Sequence, residues 1–197
     1  MRDVRAHEAP LGFRLRQAQA PDADAMTEVL IAAWHAGFSG VVPTGLEPPV
    51  EQAADRLRQR LGDGAIAGTV AEADESVCGF CVFGPSRDPN AGEDIGEIYQ
   101  LFVTPEVWRS GVGSGLIEQA TAQLRRQRNR WVTVWTFAKN ARASHFYANA
   151  AFAQTAPSDV VRSTATPLRS AVGGRLTLRH DCQGATAAPR ARPEIWT

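Results

Sequence analysis

The most informative run in this chain is Glu97-Ile-Tyr-Gln-Leu-Phe-Val-Thr-Pro-Glu-Val-Trp-Arg-Ser-Gly-Val-Gly-Ser-Gly-Leu116. Its first part belongs to an apolar strand, Ile95 to Val103, that Thr104-Pro105 must stop, because proline has no N–H for a ladder. Its last part opens an amphipathic helix, in which Val112, Leu116, Ile117, Ala120 and Leu124 fall on one face. Between the two lies a loop carrying Gly111 and Gly113, which allow backbone conformations and close approaches that a Cβ would block. The first N–H groups of the helix have no partner within it and carry partial positive charge. Strand, glycine loop and helix start together form a cradle suited to phosphate oxygens.

Three kinds of phosphate-binding loop can be compared with this run. A Walker A loop ends in Gly-Lys-Ser/Thr, which is absent here. A dinucleotide fingerprint requires GxGxxG in a βαβ unit near the chain start, and Gly111-Val-Gly-Ser-Gly115 has another spacing. The pyrophosphate loop for acyl-coenzyme A, Q/R-x-x-G-x-G/A leading into a helix, is matched at both glycines by Trp108-Arg-Ser-Gly111-Val-Gly113.

On the N-terminal side, Phe13-Arg-Leu-Arg16 alternates as a short strand. Asp22 caps a helix with Met26, Val29, Leu30, Ala33 and Trp34 on one face, broken by Gly37, Gly40 and Pro43. A second helix follows from Val50 to Gly62, its Arg56, Arg58 and Arg60 on a solvated side. Ala65 to Ala73 and Val77 to Phe83, joined by Asp74-Glu75-Ser76, read as a hairpin. Beyond the central helix, whose last turn is crowded by Arg125, Arg126 and Arg128, come a strand over Trp131 to Phe137, a short helix over Asn140 to Asn149 and a last strand over Arg175 to Arg179. This order predicts a single α/β (α+β) domain over residues 13–181, with a leader over 1–12 and an Ala/Pro-rich tail over 182–197.

Composition narrows the function by exclusion. The 197 residues carry 21 basic and 21 acidic side chains, so the chain lacks the basic excess of a dedicated nucleic-acid binder or of a polybasic membrane anchor. No apolar stretch reaches the ~18 residues a membrane span requires, and the start is not signal-like, which implies a cytoplasmic protein. Lys139 is the single lysine, and the arginine bias with abundant alanine suggests a GC-rich bacterial genome. Cys78 and Cys81 have CxxC spacing but sit in a strand, where residues three apart face opposite sides, and no second Cys/His pair follows; neither a metal nor a redox role is expected.

The chain resembles the GNAT superfamily of acetyl-CoA-dependent N-acetyltransferases. The glycine loop is one support. Another is Asn140-Ala-Arg-Ala-Ser-His-Phe146-Tyr147-Ala-Asn-Ala-Ala-Phe152, similar to the family's N-x-x-A-x-x-F-Y-x-x-x-G-F signature. A third is Trp34-His-Ala-Gly-Phe-Ser-Gly40-Val-Val-Pro43, similar to the helix-to-loop segment of small bacterial members. The similarity covers roughly Phe13 to Asp181 and implies a mixed, mostly antiparallel central sheet flanked by helices. The sequence departs from the pattern at Trp108, where Gln or Arg is usual, at Ala151, which replaces a glycine, and over Ala153 to Gly174, a long segment that could cover an acceptor pocket.

The resemblance implies direct acetyl transfer from acetyl-CoA to a primary amine, a small molecule or a peptide, in a ternary complex without metal, by a monomer or homodimer. The alternative is a non-catalytic acyl-CoA-binding or regulatory module on the same fold. The resemblance assigns the pyrophosphate to Arg109, Ser110, Gly111, Val112, Gly113, Ser114 and Gly115, and the pantetheine arm to the Leu101, Phe102 and Val103 strand, with Asn140 and Tyr147 also at the cofactor. Tyr147 is the implied general acid, its phenol being matched to a departing thiolate. Glu97 is the candidate base, or an anchor for the substrate's ammonium group. Trp34, Phe38 and Tyr99 are the candidate acceptor contacts.

Overall fold

The computed structural model describes residues 12–38, 50–89, 91–137, 139–154 and 173–179. The chain runs β1 (Arg14–Gln17), α1 (Ala23–Phe38), α2 (Ala53–Gly62), β2 (Ala67–Ala73), β3 (Ser76–Pro85), β4 (Ile95–Val103), α3 (Val112–Arg126), β5 (Trp131–Phe137), α4 (Ala141–Asn149), β6 (Ala153–Gln154) and β7 (Gly173–Arg179). The seven strands form one sheet in the order β1-β2-β3-β4-β5-β7-β6. Only the β4–β5 pair is parallel, as expected where α3 supplies the crossover between them. The sheet is therefore mixed and mostly antiparallel.

Two apolar layers cover the sheet. On one face Met26, Val29 and Leu30 of α1 and Leu57 of α2 pack on Val70, Phe80 and Val82. On the other, Val112, Leu116, Ile117, Ala120 and Leu124 of α3 pack on Cys81, Phe83, Ile98, Val132 and Val134. Each helix buries one stripe, and the alternation of strand residues supplies both layers from the same strands. At β1, the Arg16 guanidinium holds Asp22 at 2.7 Å and Glu72 at 2.6 Å. Asp22, expected as a helix cap, lies in a short 3-10 turn and accepts instead from the Gln19 N–H at 2.7 Å and from Arg16.

The expected strands over Ile95 to Val103 and Trp131 to Phe137 have those bounds. The hairpin turn places Asp74 and Glu75 at φ 49° and 63°, the two consecutive positive angles of a tight hairpin turn. The two-residue β6 was not foreseen: it is too short for alternation to reveal, and its pairing with Leu176 and Thr177 of β7 is long-range. The cysteines depart from their expected geometry. A β-bulge beside Glu72 makes Cys78 an extra residue between Val77 and Gly79, so Cys78 and Cys81 both join the layer beneath α3 rather than facing opposite sides. Both thiols are free, and burial raises their pKa values. The expected leader up to residue 11, the Gly40–Pro43 break, most of the segment from Ala153 to Gly174 and the tail from Cys182 lie outside the described residues.

Candidate active site

The site arises where the sheet splits. β4 pairs with β5 only from Ile95/Trp131 to Ile98/Val134, yet β4 continues to Val103 and β5 to Phe137. A register shift opposite Val82/Phe83 makes Tyr99 a bulge residue at the point where the strands part. Past it, Thr104 N–H donates to the Cys78 carbonyl at 2.9 Å. Antiparallel alternation then turns the peptide groups of Gln100 and Phe102 toward β3 and those of Leu101 and Val103 into the gap. The gap thus has an open strand edge of the kind an extended ligand can join.

The loop closing the end of this gap is held from several directions. The Trp108 indole N–H donates to the Val103 carbonyl at 2.7 Å. Arg109 at φ 68° and Gly111 at φ 94° adopt left-handed conformations on either side of Ser110, which curves the loop into a concave run of N–H groups. Gly111 is the N-cap of α3 and offers no side-chain acceptor, while the Ser110 hydroxyl donates to the Val107 carbonyl at 2.7 Å. The N–H groups of Val112, Gly113 and Ser114 therefore lack intrahelical acceptors. The Gly115 amide already donates to the Gly111 carbonyl at 3.0 Å, and a Cβ on Gly115 would meet Phe13 at 3.2 Å. Gly115 is thus a packing glycine against the start of the chain. A Cβ on Gly113 would come within 3.3 Å of Phe146, so that glycine lets α4 approach the start of α3.

α4 carries the second motif. Asn140 is its N-cap, with Oδ1 accepting from Ala143 N–H at 3.0 Å. Tyr147 lies in the layer beneath α3, edge-on to Phe146 and Phe152 at centroid distances of 5.2 and 5.6 Å. Its hydroxyl meets no hydrogen-bond partner among the described residues, and burial pushes its pKa up, with Cys81 adding to the effect. In the first turn of α4, the Arg142 guanidinium stacks 4.0 Å from the Trp108 ring and donates to the Gly37 carbonyl of α1 at 3.4 Å. Ala151, just past α4, is held at φ 63°, a conformation suited to the glycine usual in the motif.

The remaining candidates lie on the opposite face, toward α1 and α2. Trp34 and Phe38 stack at 4.3 Å, and Phe38 meets Phe102 and Phe137 at 6.3 and 5.7 Å, which forms an aromatic wall beside the split. Phe102, expected along the pantetheine arm, thus turns its ring to this wall and its backbone to β3. Tyr99 is not part of the wall. Its hydroxyl donates to the Pro85 carbonyl at 2.5 Å, its ring lies 4.4 Å from Arg87 and 5.7 Å from Arg60, and burial raises its pKa to about 12. Glu97 is buried and bound by Arg87: Oε2 accepts the Arg87 backbone N–H at 2.9 Å, and Oε1 accepts both Nε at 3.1 Å and Nη2 at 2.5 Å. Arg87 lies in a stretch that read as a polar loop, and Arg142 inside a helical motif; nothing local marks either as a partner of the site. Gln100, beside the bulge, has its Oε1 buried with no partner among the described residues.

The profile of the Acetyltransferase (GNAT) family matches residues 27–152, more than half of the chain, and the chain belongs to that family. Among curated proteins, the mycothiol acetyltransferase of Cellulomonas flavigena is 41% identical over 69 residues, which is 35% of this chain and 20% of that protein. An N-acetyltransferase of Bacillus subtilis, YuaI, is 25% identical over 130 residues, 64% of this chain and 72% of that protein. The chain thus spans only a fifth of the first relative's length. Among solved structures, an acetyltransferase from Salmonella typhimurium with its cofactor acetyl-CoA superposes with a TM-score of 0.66 at 19% identity, covering 90% of this chain and 99% of that one. At that identity the likeness is one of fold. No helix among the described residues is long and apolar enough to cross a membrane.

Proposed function

We propose that this chain, as a cytoplasmic catalytic unit over residues 13–181, transfers the acetyl group of acetyl-CoA directly to a primary amine in a ternary complex. The observation that carries the reading is the gap between β4 and β5. It has a strand edge at Leu101 and Val103 that pairs with no further strand among the described residues, the Val103 carbonyl being taken by the Trp108 indole, and a helix start without a side-chain cap at its end. These features fit the donor: the left-handed turns at Arg109 and Gly111 form an anion cradle, and the strand edge suits the amides of a pantetheine arm.

Acetyl-CoA, when bound, supplies an acetyl group activated as a thioester. The N–H groups of Val112, Gly113 and Ser114 would hold its phosphates, with Arg109 and Ser110 framing them. The Leu101 and Val103 peptide groups would align its arm, and an N–H of that edge would polarise the carbonyl. Tyr147 approaches from the α3 face and would give its proton to the departing sulfur. Because burial raises its pKa, it stays protonated throughout the working range. The amine would enter from the α1 face along Trp34 and Phe38. Glu97 would receive its proton or hold its ammonium group once Arg87 yields an oxygen.

The occupation of Glu97 by Arg87 is the observation that favours the second reading, an acyl-CoA-binding module without turnover. Thiol release from acetyl-CoA across a panel of amines, run beside coenzyme A titration, separates the two. Amine-dependent release supports the enzyme, and binding without release supports the module. Absence of both removes the whole reading.

A further inference from the structure

Gln100 occupies a position that neither motif points to. The bulge at Tyr99 breaks the alternation of β4 so that Tyr99 and Gln100 both face α1 and α2. Gln100 pairs with Val82 and Phe102 with Phe80, and Val82 and Phe80 belong to that layer. Gln100 is also among the first residues beyond the last β4–β5 pair, Ile98/Val134, and so stands where the gap begins. Its neighbour on the same face, Phe102, belongs to the aromatic wall of Phe38 and Phe137.

The Gln100 amide oxygen is buried and accepts no hydrogen bond among the described residues. A buried carbonyl without a donor destabilises the fold, so an oxygen left this way beside an opening indicates a donor that arrives with a ligand. The carboxylate on the same face is already held by Arg87, which bonds both oxygens of Glu97. Neighbouring groups on this side are committed elsewhere: the Tyr99 hydroxyl to Pro85, and the peptide groups of Gln100 and Phe102 to β3.

We infer that Gln100 Oε1 accepts an N–H of the incoming primary amine and positions its nitrogen at the mouth of the gap. The inference rests on the acetyl-transfer reading above. It adds Gln100 as the residue that orients the amine and keeps Glu97, paired with Arg87, as the group that receives its proton or holds its ammonium once Arg87 yields an oxygen. A primary or secondary amine can spend one N–H on Gln100 and retain its lone pair for the carbonyl carbon, whereas a tertiary amine has no N–H to give.

The experiment compares the unaltered enzyme with Gln100→Leu and Gln100→Glu, using ethylamine, phenethylamine, spermidine and L-alaninamide as acceptors. KM is measured separately for amine and for acetyl-CoA, together with thermal stability. Gln100→Leu is expected to raise the amine KM by about tenfold or more, the loss of one hydrogen bond to a buried partner, and to leave the acetyl-CoA KM within about twofold. The same variant is expected to melt at an equal or higher temperature, because it removes an unpartnered buried oxygen. Gln100→Glu restores an acceptor oxygen and should return the amine KM to within about threefold of the unaltered value. An unchanged amine KM in Gln100→Leu overturns the inference. So does a Leu variant that melts lower or does not fold, since that marks a structural role. If the unaltered enzyme releases no thiol with any of the four amines, the acetyl-transfer reading itself fails, and this inference fails with it.

Discussion

The two faces of the split sheet solve different problems. The α3 face and the loop before it are built from backbone: two left-handed residues, a helix start and an open strand edge, with few side chains committed to a ligand. The α1 face is built from side chains: stacked rings at Trp34 and Phe38, a Glu97–Arg87 pair and an unpartnered Gln100 oxygen. A backbone cradle needs only glycines and a helix at the right places, so it tolerates wide sequence change. A side-chain pocket is rewritten residue by residue. On the proposed reading, the α3 face would take the donor and could be common to a family, while the α1 face would take the acceptor and be particular to this chain.

If the division is right, substitutions should separate cleanly by face. The largest effect is expected at Tyr147. Tyr147→Phe removes the buried phenol proposed as the acid and should lower kcat by about a hundredfold or more while leaving coenzyme A affinity nearly unchanged. The pH profile gives the same residue a second test. The protonated phenol is the working form and burial raises its pKa, so kcat should show no falling alkaline limb from this group below about pH 10. Stopped-flow thiol detection between pH 7 and 10, run on both proteins, checks both statements.

A smaller effect is expected at Trp108. Its indole N–H on Val103 and its stack with Arg142 brace the loop against β4 and α4. Trp108→Ala should weaken coenzyme A by about fivefold to tenfold, roughly 1 kcal/mol for a hydrogen bond with a cation–π contact, and should leave the amine KM unchanged. Calorimetric titration beside steady-state kinetics reads both. A shift in the amine KM alone would place Trp108 with the acceptor half.

The smallest effect is expected at Ala151, which touches neither ligand. At φ 63° an alanine is strained by about 1 kcal/mol relative to glycine, so Ala151→Gly should raise the melting temperature by a few degrees without changing either KM. A thermal melt is sufficient. A lower melting temperature would mean that the extra freedom of glycine in the unfolded chain outweighs the strain.

The same division explains what could be read from sequence. β4 and β5 have the bounds their apolar runs indicated, because a strand buried on both faces needs little context to declare itself. Asn140 caps α4 as its residue type and place suggested. The glycine loop was legible because its function is conformational, and conformation leaves glycines behind. The acceptor face was not. Whether Tyr99 and Gln100 share a face depends on a bulge whose cause lies in the pairing with β3, and the partner of Glu97 is ten residues away in a loop. The resemblance set Phe102 with Leu101 and Val103 along the donor strand, whereas its ring joins the aromatic wall. The CxxC spacing misled because a bulge beside Cys78 altered the alternation on which the face assignment rested.

The placement of the donor in the gap can be observed residue by residue. Backbone amide resonances of the labelled protein, followed as coenzyme A is added, report which N–H groups meet it. The shifts should be largest at Leu101 and Val103 and from Ser110 to Ser114. Gly115, whose amide is used within α3, should move less, and the α1-face residues Glu97 and Arg87 should move least. Saturable binding that leaves the Leu101–Val103 and Ser110–Ser114 amides unmoved, or that shifts the α1 face instead, would contradict a donor site between β4 and β5.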